Sequence, residues 1–195
     1  MFNSSFRRIK SEHKFEVVDE GSTTFRSEHH YLVEVIKPTR FFFRQFFWTG
    51  SDNSDETTIL ETAIDQWGHP LHRLHGPIIR ENRSRIVIVD LGRTLVQGHR
   101  EEITFRHNLS DLKGTFEPRF SYTAKPNDGE LSIRVLLPLS FGQATFHLEA
   151  ADTHRCLETD ELIPQIIDKK KAKFEYNIPL VEQNRRYTLS WALPA

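Results

Sequence analysis

Three histidines of HPLHRLH, His69, His72 and His75, recur every third residue, and imidazole nitrogen is a standard ligand of zinc and similar metals. On a turn or a short helix the three rings could share one ion. Pro70 interrupts the cluster, and a strand would send positions three apart to opposite faces, so three solvated histidines are the plainer reading. No metal or other cofactor is expected. A metal-dependent enzyme, or a metal-binding β protein, with a carboxylate brought to this cluster by the fold, stands as the alternative. The pair His29-His30 and the isolated His13, His99, His107, His147 and His154 have no partner at an informative spacing.

Other familiar chemistries find little support. There is no Gly-x-Ser-x-Gly elbow, and the phosphate-cradling orders Gly-x-x-x-x-Gly-Lys-Ser/Thr and Gly-x-Gly-x-x-Gly are missing. Cys156, the one cysteine, lies two residues from His154, on the same face if the segment is a strand. An ordinary half-buried thiol is expected there. The acidic stretches SDNSDE (51–56) and KPNDG (125–129) do not follow the order of an EF-hand calcium loop and read as solvated turns. The lysines of DKKKAK (168–173) read as a solvated edge beside a strand.

The aromatic run RFFFRQFFW, residues 40–48, carries five phenylalanines and a tryptophan. As a strand it sends Phe41, Phe43, Gln45 and Phe47 to one face and Phe42, Arg44, Phe46 and Trp48 to the other. Each buried aromatic withdraws about 150–250 Å² from water. A bare aromatic face would equal or exceed the roughly 300–600 Å² patch a monomer tolerates, so both faces should be covered. A central strand satisfies this, and so does a partner-binding surface made of Arg40, Phe42, Arg44, Phe46 and Trp48.

The elements that must position these residues are mostly strands. Short runs rich in Phe, Val, Ile and Thr, bounded by Gly, Pro, Asn and Asp, recur along the whole chain. Pro126-Asn127-Asp128-Gly129 between two alternating runs predicts a hairpin. The alternation of Ile133, Val135 and Leu137 predicts a half-buried strand, and that of Tyr187, Leu189 and Trp191 a core-facing Trp191. A short helix is expected over residues 157–168, from Leu162, Ile163, Ile166 and Ile167, and a strand within residues 55–68.

The fold expected is mainly β: an antiparallel sandwich with at most one or two short helices. Seven strand-like runs after Arg85 resemble the number and spacing of immunoglobulin-like sandwiches. RENRSR (80–85) would separate an N-terminal β lobe, residues 1–80, from a C-terminal seven-stranded sandwich, residues 85–195, unless the two form one continuous sandwich.

The chain has 195 residues, 37% hydrophobic and 27% charged, with a formal net charge of -1. It is long enough for a real core and has no bulk positive field for nucleic acid. A single cysteine fits a reducing, cytoplasmic setting, and neither a signal peptide nor an apolar span of membrane length occurs. The functional expectation is a non-enzymatic β-sandwich module that binds a protein partner or associates with itself. Recognition of a small ligand between the two β lobes is a second alternative.

Overall fold

The computed structural model describes residues 5–19, 21, 23–51, 57–81 and 83–192. Its strands in chain order are β1 (Phe6–Val17), β2 (Thr24–Val35), β3 (Thr39–Phe47), β4 (Thr57–Glu61), β5 (Arg73–Leu74), β6 (Ile79–Glu81), β7 (Ser84–Leu95) and β8 (Arg100–Ser110). They continue as β9 (Arg119–Thr123), β10 (Glu130–Pro138), β11 (Ala144–Ala150), β12 (Cys156–Glu161), β13 (Gln165–Ile166), β14 (Lys171–Ile178) and β15 (Arg185–Trp191). The protein is a mainly β sandwich. Among the described residues no helix is long and apolar enough to cross a membrane.

A seven-stranded sheet in the order β13-β14-β10-β1-β2-β8-β4 carries two smaller ones, β12-β11-β15-β9 and β3-β7-β5, with β6 paired to β7. Strands from residues 1–80 and from residues 85–195 are hydrogen-bonded within the large sheet: β1 runs parallel to β10, and β2 antiparallel to β8.

Two apolar cores result. Phe15, Val17 and Phe25 of the large sheet meet Phe146, Leu189 and Trp191 of the β11-β15 sheet, with Ile133 and Val135 alongside. Tyr31, Val33, Ile103 and Phe105 meet Phe42, Val87 and Val89 of the third sheet. The long strands β1, β2 and β8 each place inward residues in both cores. Each fully buried side chain of this kind contributes about 1.5–3 kcal/mol.

The alternation in β10 and the inward Trp191 agree with expectation, and β4 forms within residues 55–68. Two local expectations are corrected. Residues 157–168 contain β12 and β13 and no helix, since each short strand finds a ready partner, β11 or β14. Pro126–Gly129 is not a hairpin turn but a crossover, because β9 and β10 belong to different sheets. Asn127 takes the left-handed backbone there (φ 65°), a conformation asparagine tolerates.

Candidate functional site

Between the two cores the inward face of the large sheet turns polar. Ser11 and His13 of β1, Ser27 and His29 of β2, and His107 of β8 are all buried and in phase with the apolar residues on either side. Register brings them together: His13 lies opposite His29, and Ser27 opposite His107. His13 Nδ1 is 2.7 Å from His29 Nδ1, so one nitrogen carries the shared proton and the other accepts it. His29 Nε2 is 2.8 Å from Ser27 Oγ, and His107 Nδ1 is 2.7 Å from Thr58 Oγ1.

Burial holds these rings neutral. The pKa values of His13 and His29 are driven well below the ordinary histidine value, first by desolvation and then by neighbouring cationic or imidazole groups, Arg44 among them. His107 is lowered to about 3 by desolvation, with Arg44 adding to it. Neutral rings suit a packed interior, and they stack there: Phe46 lies on His107 at 4.1 Å between centroids.

Above this belt the two small sheets leave a cleft of about 550 Å³. Its floor includes Arg8, Ser27 and His29. One wall is the β3 edge from Phe43 onward, and the other is β9 with Lys125 just beyond it. Each of β3 and β9 is the terminal strand of its own sheet. They are tied together at one end, where the Glu117 backbone N–H donates to Thr49 Oγ1 (2.9 Å) and Trp48 stacks on Phe116 (5.0 Å).

Arg8 is anchored in the floor by the crossover. Its Nη1 donates to Tyr122 Oη at 2.6 Å and to Asp128 Oδ2 at 3.3 Å, while the Tyr122 hydroxyl donates to Asp128. Burial raises the Tyr122 phenol pKa, only partly offset by Arg8, so Tyr122 stays a donor. Arg44 is held more loosely. Its Nη1 donates to the Gln45 carbonyl, its guanidinium lies 5.8 Å from the Tyr31 ring centre, and its buried Nε has no hydrogen-bond partner.

The aromatic run is β3, and its faces alternate as expected, but they are not covered equally. Phe42 and Trp48 are 1% and 2% exposed, which corrects their assignment as partner anchors: they are interior packing. Arg40 is engaged by a two-pronged contact to Asp90, at 2.8 and 2.9 Å. Arg44 and Phe46 line the cleft, and Phe47, which alternates to the opposite face and is 73% exposed, borders it at the strand edge.

The metal reading of HPLHRLH is also corrected, because the three rings find three separate partners. His72 is buried against Glu101 (Nε2 to Oε1, 3.4 Å), and His69 faces Asp65 at 3.6 Å. His75 packs on Phe41. Among the described residues no group of three or more His, Cys, Asp or Glu is placed to hold a metal ion. Cys156 is exposed, not half-buried, and His154 sits in a turn at φ 54°, outside the strand that would have aligned the two. Residues 52–56 of SDNSDE and the boundary residue Asn82 lie outside the described residues.

The belt was hidden in the sequence because its histidines are 16 and 78 residues apart along the chain and become neighbours only through strand pairing. Strand phase was the usable signal: His13 shares its face with Phe15 and Val17, His29 with Phe25 and Tyr31, and His107 with Phe105 and Leu109.

No family model matches the chain, and no curated protein sequence does. Solved structures do match. An M1 zinc metallopeptidase variant from Deinococcus radiodurans aligns with a TM-score of 0.56 at 10% identity, covering 97% of this chain and 43% of the peptidase. A two-domain M1 zinc metallopeptidase variant bound to L-tryptophan gives 0.56 at 10%, covering 97% and 44%. A candidate protease from Parabacteroides distasonis gives 0.57 at 10%, covering 98% and 41%. At this identity the likeness is one of fold, and the chain spans less than half the length of these structures. The expectation of a non-enzymatic β-sandwich module that binds a protein partner or associates with itself is thereby corrected: the whole-chain likeness is to parts of peptidases.

Proposed function

We propose that this chain is the β component of a zinc-metallopeptidase-type enzyme and does not itself hold the metal. The observation that carries the reading is the alignment of 97% of the chain with 43% of an M1 zinc metallopeptidase. Zinc would supply a polarised carbonyl and an activated water wherever it is bound. The described residues do not fit it, since His69, His72 and His75 do not converge, and no step of peptide hydrolysis is derived through them. What these residues do is build a rigid platform with a cationic, aromatic-walled cleft. A reducing, cytoplasmic setting belongs to the same proposal, supported by one free and exposed Cys156.

Two measurements test it. Elemental analysis of the purified chain should find well under one zinc per molecule, and the chain alone should leave fluorogenic peptides intact. Affinity isolation of the tagged chain from cells that naturally express it should bring down peptide-hydrolysing activity that a zinc chelator abolishes. About one zinc per chain with chelator-sensitive hydrolysis by the chain alone would place the centre within it. Isolation with no such activity would remove the peptidase reading.

A further inference from the structure

The lining of the β3-β9 cleft is unbalanced in charge. Arg8, Arg44, Arg119, Lys125 and Arg186 line it, and among the described residues no aspartate or glutamate does. Three of these cations are matched nearby: Arg8 by Asp128, Arg119 by Glu117, and Arg186 by Glu149 at 3.9 Å. Arg44 and Lys125 have no ion pair among the described residues. Lys125 has its pKa lowered, first by partial burial and then by the charges of Arg8 and Arg44, with Asp128 acting in the opposite direction. Two cations thus share one cleft whose nearest carboxylate, Asp128, is already engaged by Arg8, by the Tyr122 hydroxyl and by the Lys125 backbone N–H.

Polar groups under the cleft point the same way. Tyr31, with no exposed surface, has the Arg44 guanidinium as the charged neighbour of its hydroxyl, and the buried Nε of Arg44 has no hydrogen-bond partner. Unsatisfied buried groups of this kind are few in native proteins and call for a cause. Around them the half-buried rings of Phe46, Phe116 and Phe120 offer an apolar wall. A volume of about 550 Å³ falls inside the roughly 300–1,000 Å³ of small-molecule sites.

We infer that this cleft binds a small carboxylate-bearing ligand with an apolar body, the carboxylate held by Arg44 and Lys125 and the body laid against Phe46, Phe116 and Phe120. A guanidinium beside an ammonium supplies charge-assisted hydrogen bonds to such a group. The same chemistry could come from a free organic acid or from the C-terminal end of a short peptide. The inference goes beyond the peptidase reading and does not depend on it, since binding is measured on the chain alone.

Calorimetric titration with octanoate and with N-acetyl-Leu-Phe tests it, against octanol and N-acetyl-Leu-Phe amide as neutral counterparts. Either carboxylate, or both, should bind about tenfold or more tightly than its neutral counterpart. Which one binds identifies the source. Arg44→Gln should weaken binding about tenfold, Arg44→Lys should restore part of it, and Lys125→Gln at the rim should weaken it roughly threefold. A thermal melt checks the fold of each variant, and Lys125→Gln keeps the test open if Arg44→Gln does not fold. No binding by either carboxylate, equal binding of the neutral counterparts, or unchanged affinity in the folded variants would overturn the inference.

Discussion

The three belt histidines are neutral because taking an imidazolium out of water is unfavourable, and this ties stability to pH. A histidine whose pKa is lower folded than unfolded takes up its proton only on unfolding across the interval between the two values. Stability is therefore full above the unfolded value of 6.5 and declines as pH falls towards the folded one, about 3 for His107. Each such group removes up to about 1.4 kcal/mol per pH unit within that interval. Urea unfolding at pH 7.0 and pH 5.5 should give a fall of several kcal/mol, and His107→Asn should make the decline shallower by one histidine's share. Equal stability at the two pH values would mean that the belt is hydrated. Asp128→Ala should also be strongly destabilising, by about 3–5 kcal/mol on chemical denaturation, since it strands the buried Arg8 guanidinium.

At the scale of the element, β3 shows how one aromatic strand serves a core and a cleft at once. Its inward positions run Phe42, Arg44, Phe46 and Trp48: Phe42 and Trp48 are buried one in each core, while Arg44 and Phe46 between them, with an edge of Trp48, face the cleft. Phe42→Ala should cost about 3–5 kcal/mol, whereas Phe47→Ala, on the open face, should stay within about 0.5 kcal/mol. Thermal melts of the two variants distinguish these outcomes, and similar losses in both would mean that another surface covers Phe47. The crossover before β10 is tight in a different way. A Cβ at Gly129 would stand within 2.1 Å of the Ile9 carbonyl oxygen, beside the register shift of β1 between Arg8 and Lys10. Both the Gly129 N–H and its carbonyl are engaged, with Arg8 and Val181. Gly129→Ala must push two backbones apart and should destabilise by about 1–3 kcal/mol, a loss readable as a lower urea midpoint.

For the whole molecule, the shared strands β1, β2 and β8 make the two cores one mechanical unit. Ile103 sits in one core and Ile133 in the other, yet truncating either to alanine should lower the same single unfolding transition by about 2–5 kcal/mol. Coincident fluorescence and circular-dichroism transitions in both variants would bear this out. A second transition appearing in only one of them would show that the cores unfold separately.

What the sequence determined by itself is what depends on near neighbours in the chain. Alternation within runs such as LSIRVLL and RRYTLSW fixes strand type and inward face, because successive side chains on a strand must point to opposite sides. The same rule divided RFFFRQFFW into its two faces before any partner was known. What only the tertiary structure decided is what depends on pairing between distant strands. Nothing local says that β1 lies parallel to β10, that Pro126–Gly129 crosses between sheets, or that His13, His29 and His107 form one buried belt. HPLHRLH shows the reverse: its regular spacing suggests a shared ligand, but the fold gives each ring its own partner. A histidine's chemistry follows from burial and from the groups that face it, and both are set by strands far away in the chain.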